Sequence, residues 1–168
     1  MRRFTSWFGM ACVLPFLVTG AEAGDVELGD VPQVIMETIK ARFPEVKVAG
    51  AAKEKGQDGK EIYEISLEDE AQNTIDVTVT PEGAITLIEK QIGRKDLPAV
   101  VAKTVEDKYP KSRYRLVEEV IEVKGKEEKL TSYEVLLVTP KKELWSVQLD
   151  LEGKIVLEEN KTDEEEEE

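Results

Sequence analysis

The stretch Asp30–Pro44, DVPQVIMETIKARFP, recurs 66 residues later as Asp96–Pro110, DLPAVVAKTVEDKYP. In both copies an acid, an apolar residue and a proline open the stretch, and an aromatic-proline pair closes it. Val31, Ile35, Ile39 and Phe43 fall at every fourth residue, as do Leu97, Val101, Val105 and Tyr109. That spacing puts one apolar stripe along one side of a helix. Asp30 and Asp96 are the expected N-caps, with Pro32 and Pro98 in the first turn, where a missing N–H costs little. Pro44 and Pro110 end the helices, because a proline forces the residue before it out of the α region.

Downstream the copies continue to match. Tyr63-Glu64-Ile65 answers Tyr133-Glu134-Val135, Gly83 answers Gly153 and Glu89 answers Glu159, now at an offset of 70. The second copy thus carries a net insertion of four residues between its helix and its Tyr-Glu element. A repeat of this kind defines the architecture: module 1 spans 30–92 and module 2 spans 93–159. Tyr63, Ile65 and Leu67 alternate with Glu64, Ser66 and Glu68, and Ile75, Val77 and Val79 alternate with Thr74, Asp76, Thr78 and Thr80. A weaker strand precedes them at Val46–Ala52, and Ala84–Glu89 follows the Pro81-Glu82-Gly83 turn. The second copy gives strands at Tyr114–Val123, Ser132–Val138, Leu144–Leu151 and Lys154–Glu158. Period-2 alternation with short glycine turns means antiparallel meanders with one buried face. The expected fold class is α+β: two tandem α-β-β-β-β modules, each a helix on a four-stranded antiparallel sheet. A module of about 60 residues buries a limited core. The two are expected either to share an eight-stranded sheet or to hold two sheets in close contact.

Arg2 and Arg3, the apolar run Trp7–Val18 and Ala21-Glu22-Ala23 read as a signal peptide over 1–23, cleaved before Gly24. Residues 24–29 are then a linker, and 160–168 an acidic tail ending in six consecutive acids, Asp163–Glu168, whose mutual repulsion predicts disorder. No second long apolar run follows, so no membrane span is expected after cleavage. Cys12 lies inside the apolar run rather than at its end, which argues against a lipoprotein. The mature chain then has no Cys, hence no disulfide and no thiol nucleophile. The expected location is the periplasm or the extracellular space.

The whole chain has 23 Lys and Arg, 36 Asp and Glu and no His, a net charge of −13. Without imidazole there is no Ser-His-Asp or Cys-His centre and no His-based zinc site. The negative charge argues against nucleic acid as partner, because phosphate binding needs clustered Lys and Arg.

The recurring features resemble the PepSY-like family, related to the tandem modules of secreted β-lactamase inhibitor proteins. The resemblance rests on Val31-Pro32-Gln33-Val34-Ile35, Phe43-Pro44, Tyr63-Glu64-Ile65 and Gly83-Ala84-Ile85. The second copy repeats it in Leu97-Pro98-Ala99-Val100-Val101, Tyr109-Pro110, Tyr133-Glu134-Val135 and Gly153-Lys154-Ile155. It implies a non-catalytic periplasmic or extracellular α+β module that in some members inhibits a protease or hydrolase. Ala84 replaces the polar residue usual after that glycine, and the lack of Cys departs from the disulfide-bearing inhibitors.

No catalytic residue, cofactor or metal ligand is assigned. Asp58, Asp69 and Asp76 lack EF-hand spacing, and Gly56-Gln57-Asp58-Gly59 reads as a turn. Glu64 and Glu134 hold matching positions where a carboxylate pair is conceivable, but strand alternation makes them solvent-facing. Tyr63, Tyr133 and Trp145 fall in phase with core residues. The outward positions of copy 1 are all polar: Glu64, Ser66, Thr74, Asp76, Thr78 and Thr86. Those of copy 2 include Leu136, Val138, Leu144 and Val156. These four form the candidate protein-contact patch. The sequence therefore points to a protein-binding module; the alternative is an acidic envelope protein binding calcium or other divalent cations.

Overall fold

A computed structural model describes residues 24–56 and 59–162. The expected signal peptide, the Gln57-Asp58 part of the first turn and the six-acid end of the tail lie outside the described residues. The fold is α+β. Two ten-residue helices, α1 (Gln33–Arg42) and α2 (Ala99–Lys108), accompany nine strands whose order follows the chain. The strands are β1 (Gly24–Asp25), β2 (Lys47–Lys55), β3 (Glu61–Glu68), β4 (Thr74–Val79), β5 (Ile85–Gln91), β6 (Arg113–Lys124), β7 (Glu127–Val138), β8 (Leu144–Asp150) and β9 (Ile155–Asn160). The chain divides into two compact units within β5, between Ile88 and Glu89, and the β6–β7 tip Val123–Glu127 belongs to the first.

Both helices carry the stripe that their spacing predicts. Ile35 and Ile39 are fully buried in α1, and Val101 and Val105 in α2. They do not start on the expected caps. Pro32 and Pro98 are the N-cap residues, and neither helix has a side-chain cap. Asp30 and Asp96 sit two residues before that point, too far along the chain to meet the first free N–H groups. The Pro32 carbonyl accepts from Ile35 N–H at 3.0 Å, and the Pro98 carbonyl accepts from Ala102 N–H at 3.0 Å. Phe43 and Tyr109 close the helices, with N–H bonds of 2.8 Å to the carbonyls of Ile39 and Val105.

The four-residue insertion lengthens one hairpin. β6 and β7 have 12 residues each, against 9 and 8 in β2 and β3. Gly24 and Asp25, expected in a linker, pair with Lys53 and Ala52 as the short strand β1.

Register is set by four tight turns of one design. Asp69, Thr80, Thr139 and Asp150 each begin a turn in which the side-chain oxygen accepts a backbone N–H four residues on. This is the local bonding that favours Asp and Thr at turns. Gln72, Gly83, Lys142 and Gly153 take the left-handed position in these turns. The two glycines do more than turn. A Cβ on Gly153 would lie 2.9 Å from the Val100 carbonyl oxygen, and one on Gly83 would lie 2.9 Å from Val34 Cγ2. The β8–β9 and β4–β5 turns thus press on the first turn of the helix in their own unit.

Gly153→Ala should therefore destabilise the chain more than Gly125→Ala. Gly125 shares the positive φ but has nothing within 4 Å of its Cβ position. The left-handed backbone alone costs about 1–2 kcal/mol, and the clash with helix backbone adds to it. Urea denaturation of the two variants measures the difference; equal midpoints would mean that the turn does not bear on the helix.

Candidate binding face

Antiparallel register sorts each unit into two faces. On the helix side of unit 1, Tyr63 faces Val79, Ile65 faces Val77 and Leu67 faces Ile75. All six are buried. In unit 2, Tyr133, Val135 and Leu137 face Leu149, Val147 and Trp145. They pack with Leu97, Val101, Val105 and Val117 in one cluster, with Trp145 and Tyr109 at its margin. Tyr63, Tyr133 and Trp145 are thus core or core-edge residues, as their phase predicts. Tyr109 meets Trp145 at a ring separation of 5.8 Å, and its hydroxyl donates to Glu158 at 3.3 Å. Burial and the Glu158 charge push the Tyr109 phenol up to about 12.

The opposite face of unit 1 holds Ser66 across from Asp76 and Glu64 across from Thr78. Strand alternation makes these positions solvent-facing, and the structure corrects that. Glu64 is 2% exposed, and Asp76 and Thr78 are also buried. Alternation says which residues share a face; it does not say whether that face is wet. Ser66 Oγ donates to Asp76 Oδ1 at 2.6 Å. Burial pushes the Asp76 carboxyl from 3.8 to about 6, against the opposing pull of the Ser66 hydroxyl.

In unit 2 the same face carries Ser132, Glu134, Ser146 and Gln148, all buried. Glu134 is likewise not solvent-facing. It accepts from Ser146 Oγ at 2.7 Å, while Gln148 Nε2 donates to Ser132 Oγ at 2.8 Å. The hydroxyl–acid bond of unit 1 therefore recurs with its strands exchanged. In unit 1 the acid is on β4 and the serine on β3; in unit 2 the acid is on β7 and the serine on β8. Glu64 and Glu134 belong to different units.

The patch residues are only partly brought together. Val138 faces Leu144, and Leu136 lies two residues back on β7, across from Ser146. Leu136 and Val138 are half-buried, whereas Leu144 is 5% exposed. The segment after β9 covers it: Lys161 N–H donates to the Leu144 carbonyl, and Leu144 N–H donates to Thr162 Oγ1 at 2.9 Å. Val156 is 40% exposed, but it sits at the β8–β9 bulge beside Gln148 and Leu149, away from the other three. Leu157, across from Gln148, is a further apolar residue on this face. Counting outward from the Asp69–Asn73 turn places Ser66 opposite Asp76, so the hydroxyl–acid pair was within reach of sequence arithmetic. Among the described residues, no three His, Cys, Asp or Glu are placed to hold a metal ion. Among them, no helix is long and apolar enough to cross a membrane.

Two copies of one helix-on-meander unit, each with a polar network on the outer sheet face, define a class of tandem α+β modules. The family model described as "putative beta-lactamase-inhibitor-like, PepSY-like" matches twice, at residues 17–86 and 72–156. The chain belongs to the PepSY-like family. No protein of curated function matches it. It is similar to a "putative periplasmic" protein from Bacteroides eggerthii at 15% identity and a TM-score of 0.61, covering 79% of this chain and 91% of that one. A DUF2874 family protein from Bacteroides uniformis gives 13% and 0.59, covering 78% and 90%. A BLIP-like protein from Bacteroides fragilis gives 14% and 0.53, covering 77% and 86%. At such identities the likeness is one of fold.

Asp76 makes stability depend on pH. Its folded pKa of about 6 lies above the ordinary 3.8, so the folded state holds the proton more tightly. The favourable contribution is complete below about pH 4 and disappears as pH rises through 6. At pH 7 the buried charge costs on the order of 3 kcal/mol. Asp76→Asn should raise the neutral-pH denaturation midpoint and flatten its slope between pH 4 and 7. An unchanged slope in the variant would show that Asp76 does not titrate there.

Proposed function

We propose that this chain is an exported, non-enzymatic protein-binding module that covers part of its target with the outer sheet face of unit 2. The intended target is an extracytoplasmic hydrolase or protease, blocked sterically without bond chemistry. One observation carries the reading. Where unit 1 has Ser66, Glu68 and Thr74 on this face, unit 2 has Leu136, Val138 and Leu144 at the equivalent positions. The helix-side core is complete without them. Leu144 is buried under the segment after β9, but half-buried Leu136 and Val138 leave apolar surface that is more useful to a partner than to the fold. The β-lactamase-inhibitor-like character of the family supports the same reading. The signal-peptide pattern of 1–23 and the likeness to a protein described as periplasmic support export.

The test is Leu136→Asp with Val138→Asp. Circular dichroism and the thermal midpoint should stay near wild type, because both side chains are half-buried. Inhibition of a panel of β-lactamases and periplasmic proteases, or association with one of them, should be lost, by about tenfold or more. Failure of the double variant to fold would make the patch core and end the proposal. The calcium alternative predicts instead a calorimetric calcium signal that disappears in a chain ending at Thr162.

A further inference from the structure

Unit 1 offers a second surface, at the outer edge of β2. β1 covers little of that edge: Gly24 pairs with Lys53, Asp25 pairs with Ala52, and Val26 N–H adds a 2.9 Å bond to the Ala51 carbonyl. The chain then leaves the edge through a turn closed by Asp30 N–H on the Glu27 carbonyl. Among the described residues no strand continues along the rest of β2. An open cleft of about 350 Å³ lies there, between Asp25–Leu28 and Ala49–Ala51. Its floor is small side chains and a backbone bulge between Val48 and Gly50, so another main chain can approach closely. Its wall adds the exposed Leu28 and the carboxylates of Asp25 and Glu27. Lys53, the cation at the far end of β1, is engaged by Glu61. The charge around the cleft has one sign. Residues 24–92 hold 15 Asp and Glu against 7 Lys and Arg, whereas 93–162 hold 14 of each.

We infer that this edge binds an extended basic peptide segment by strand addition. The partner's main chain continues the β1 position beyond Val26, along Lys47–Ala49, an apolar side chain meets Leu28, and Lys or Arg meets Asp25 and Glu27. The site is independent of the sheet-face reading, since it uses neither unit 2 nor the patch.

The probe is a labelled Lys-Val-Lys-Val-Lys-Val peptide titrated with the full chain by fluorescence anisotropy, beside its Glu-for-Lys counterpart. The basic peptide should bind saturably and the acidic one should not. Asp25→Lys with Glu27→Lys should weaken binding about tenfold or more, while Glu45→Lys with Glu70→Lys, the same change in net charge on exposed sites outside the cleft, should change it less than about twofold. Equal losses in both charge-reversed chains, or no saturable binding, overturn the inference. So does sedimentation showing the edge taken by a second copy that excludes the peptide.

Discussion

Each unit depends on one apolar helix stripe being buried against alternate residues of its strands. Nothing covalent is known to assist it, since Cys12 is the sole cysteine of the chain. Ile35 and Ile39 in one unit, and Val101 and Val105 in the other, are fully buried. Each such side chain contributes about 1.5–3 kcal/mol when taken from water. The contribution requires correct strand register, because a slip of one residue would turn the polar face toward the helix. Register in turn is held by turns whose side chains bond their own backbone: Asp69 and Asp150, Thr80 and Thr139. Gly83 and Gly153 join the two devices, since the turns they complete touch the helices directly. Core, register and turn chemistry are therefore one constraint read at three scales.

Most of this architecture was legible because it is local. Period 4 marks Val31–Phe43 and Leu97–Tyr109 as helices, period 2 marks the strands, and prolines and glycines mark the ends. The repeat doubled every signal. What stayed illegible depends on distance. Asp30 and Asp96 look like caps by residue type, but the proline after them moves the helix start two residues on. Gly24 and Asp25 look like linker because their partners, Lys53 and Ala52, are nearly thirty residues away.

The candidate face was half legible for a related reason. Leu136, Val138 and Leu144 do share a side, as alternation requires. Burial along that side is set by neighbouring chain. Leu144 is covered by backbone and hydroxyl bonds from Lys161 and Thr162, which no periodicity announces. Val156 reads as in phase with the others, yet the bulge at Gln148 and Leu149 shifts β9 locally and separates it from them. The polar members were misjudged the other way. Glu64 and Asp76 look like wetted strand residues, but the structure removes both from solvent.

The comparison of the two copies separates structural from functional demands. The copies agree where backbone geometry or the helix-side core dictates the residue: Gly83 and Gly153, Pro32 and Pro98, Tyr63 and Tyr133. They disagree on the outer face, at Ser66 and Leu136, Glu68 and Val138, Asp76 and Ser146. Neither set at these positions is what stability alone favours. A buried carboxylate at Asp76 opposes folding at neutral pH, and half-exposed Leu136 and Val138 leave apolar surface in water. Both copies thus tolerate unfavourable groups on this face while holding the helix side close to ideal. The acid–hydroxyl bond survives in each unit with its strands exchanged. The residues around that bond are where the two copies differ most.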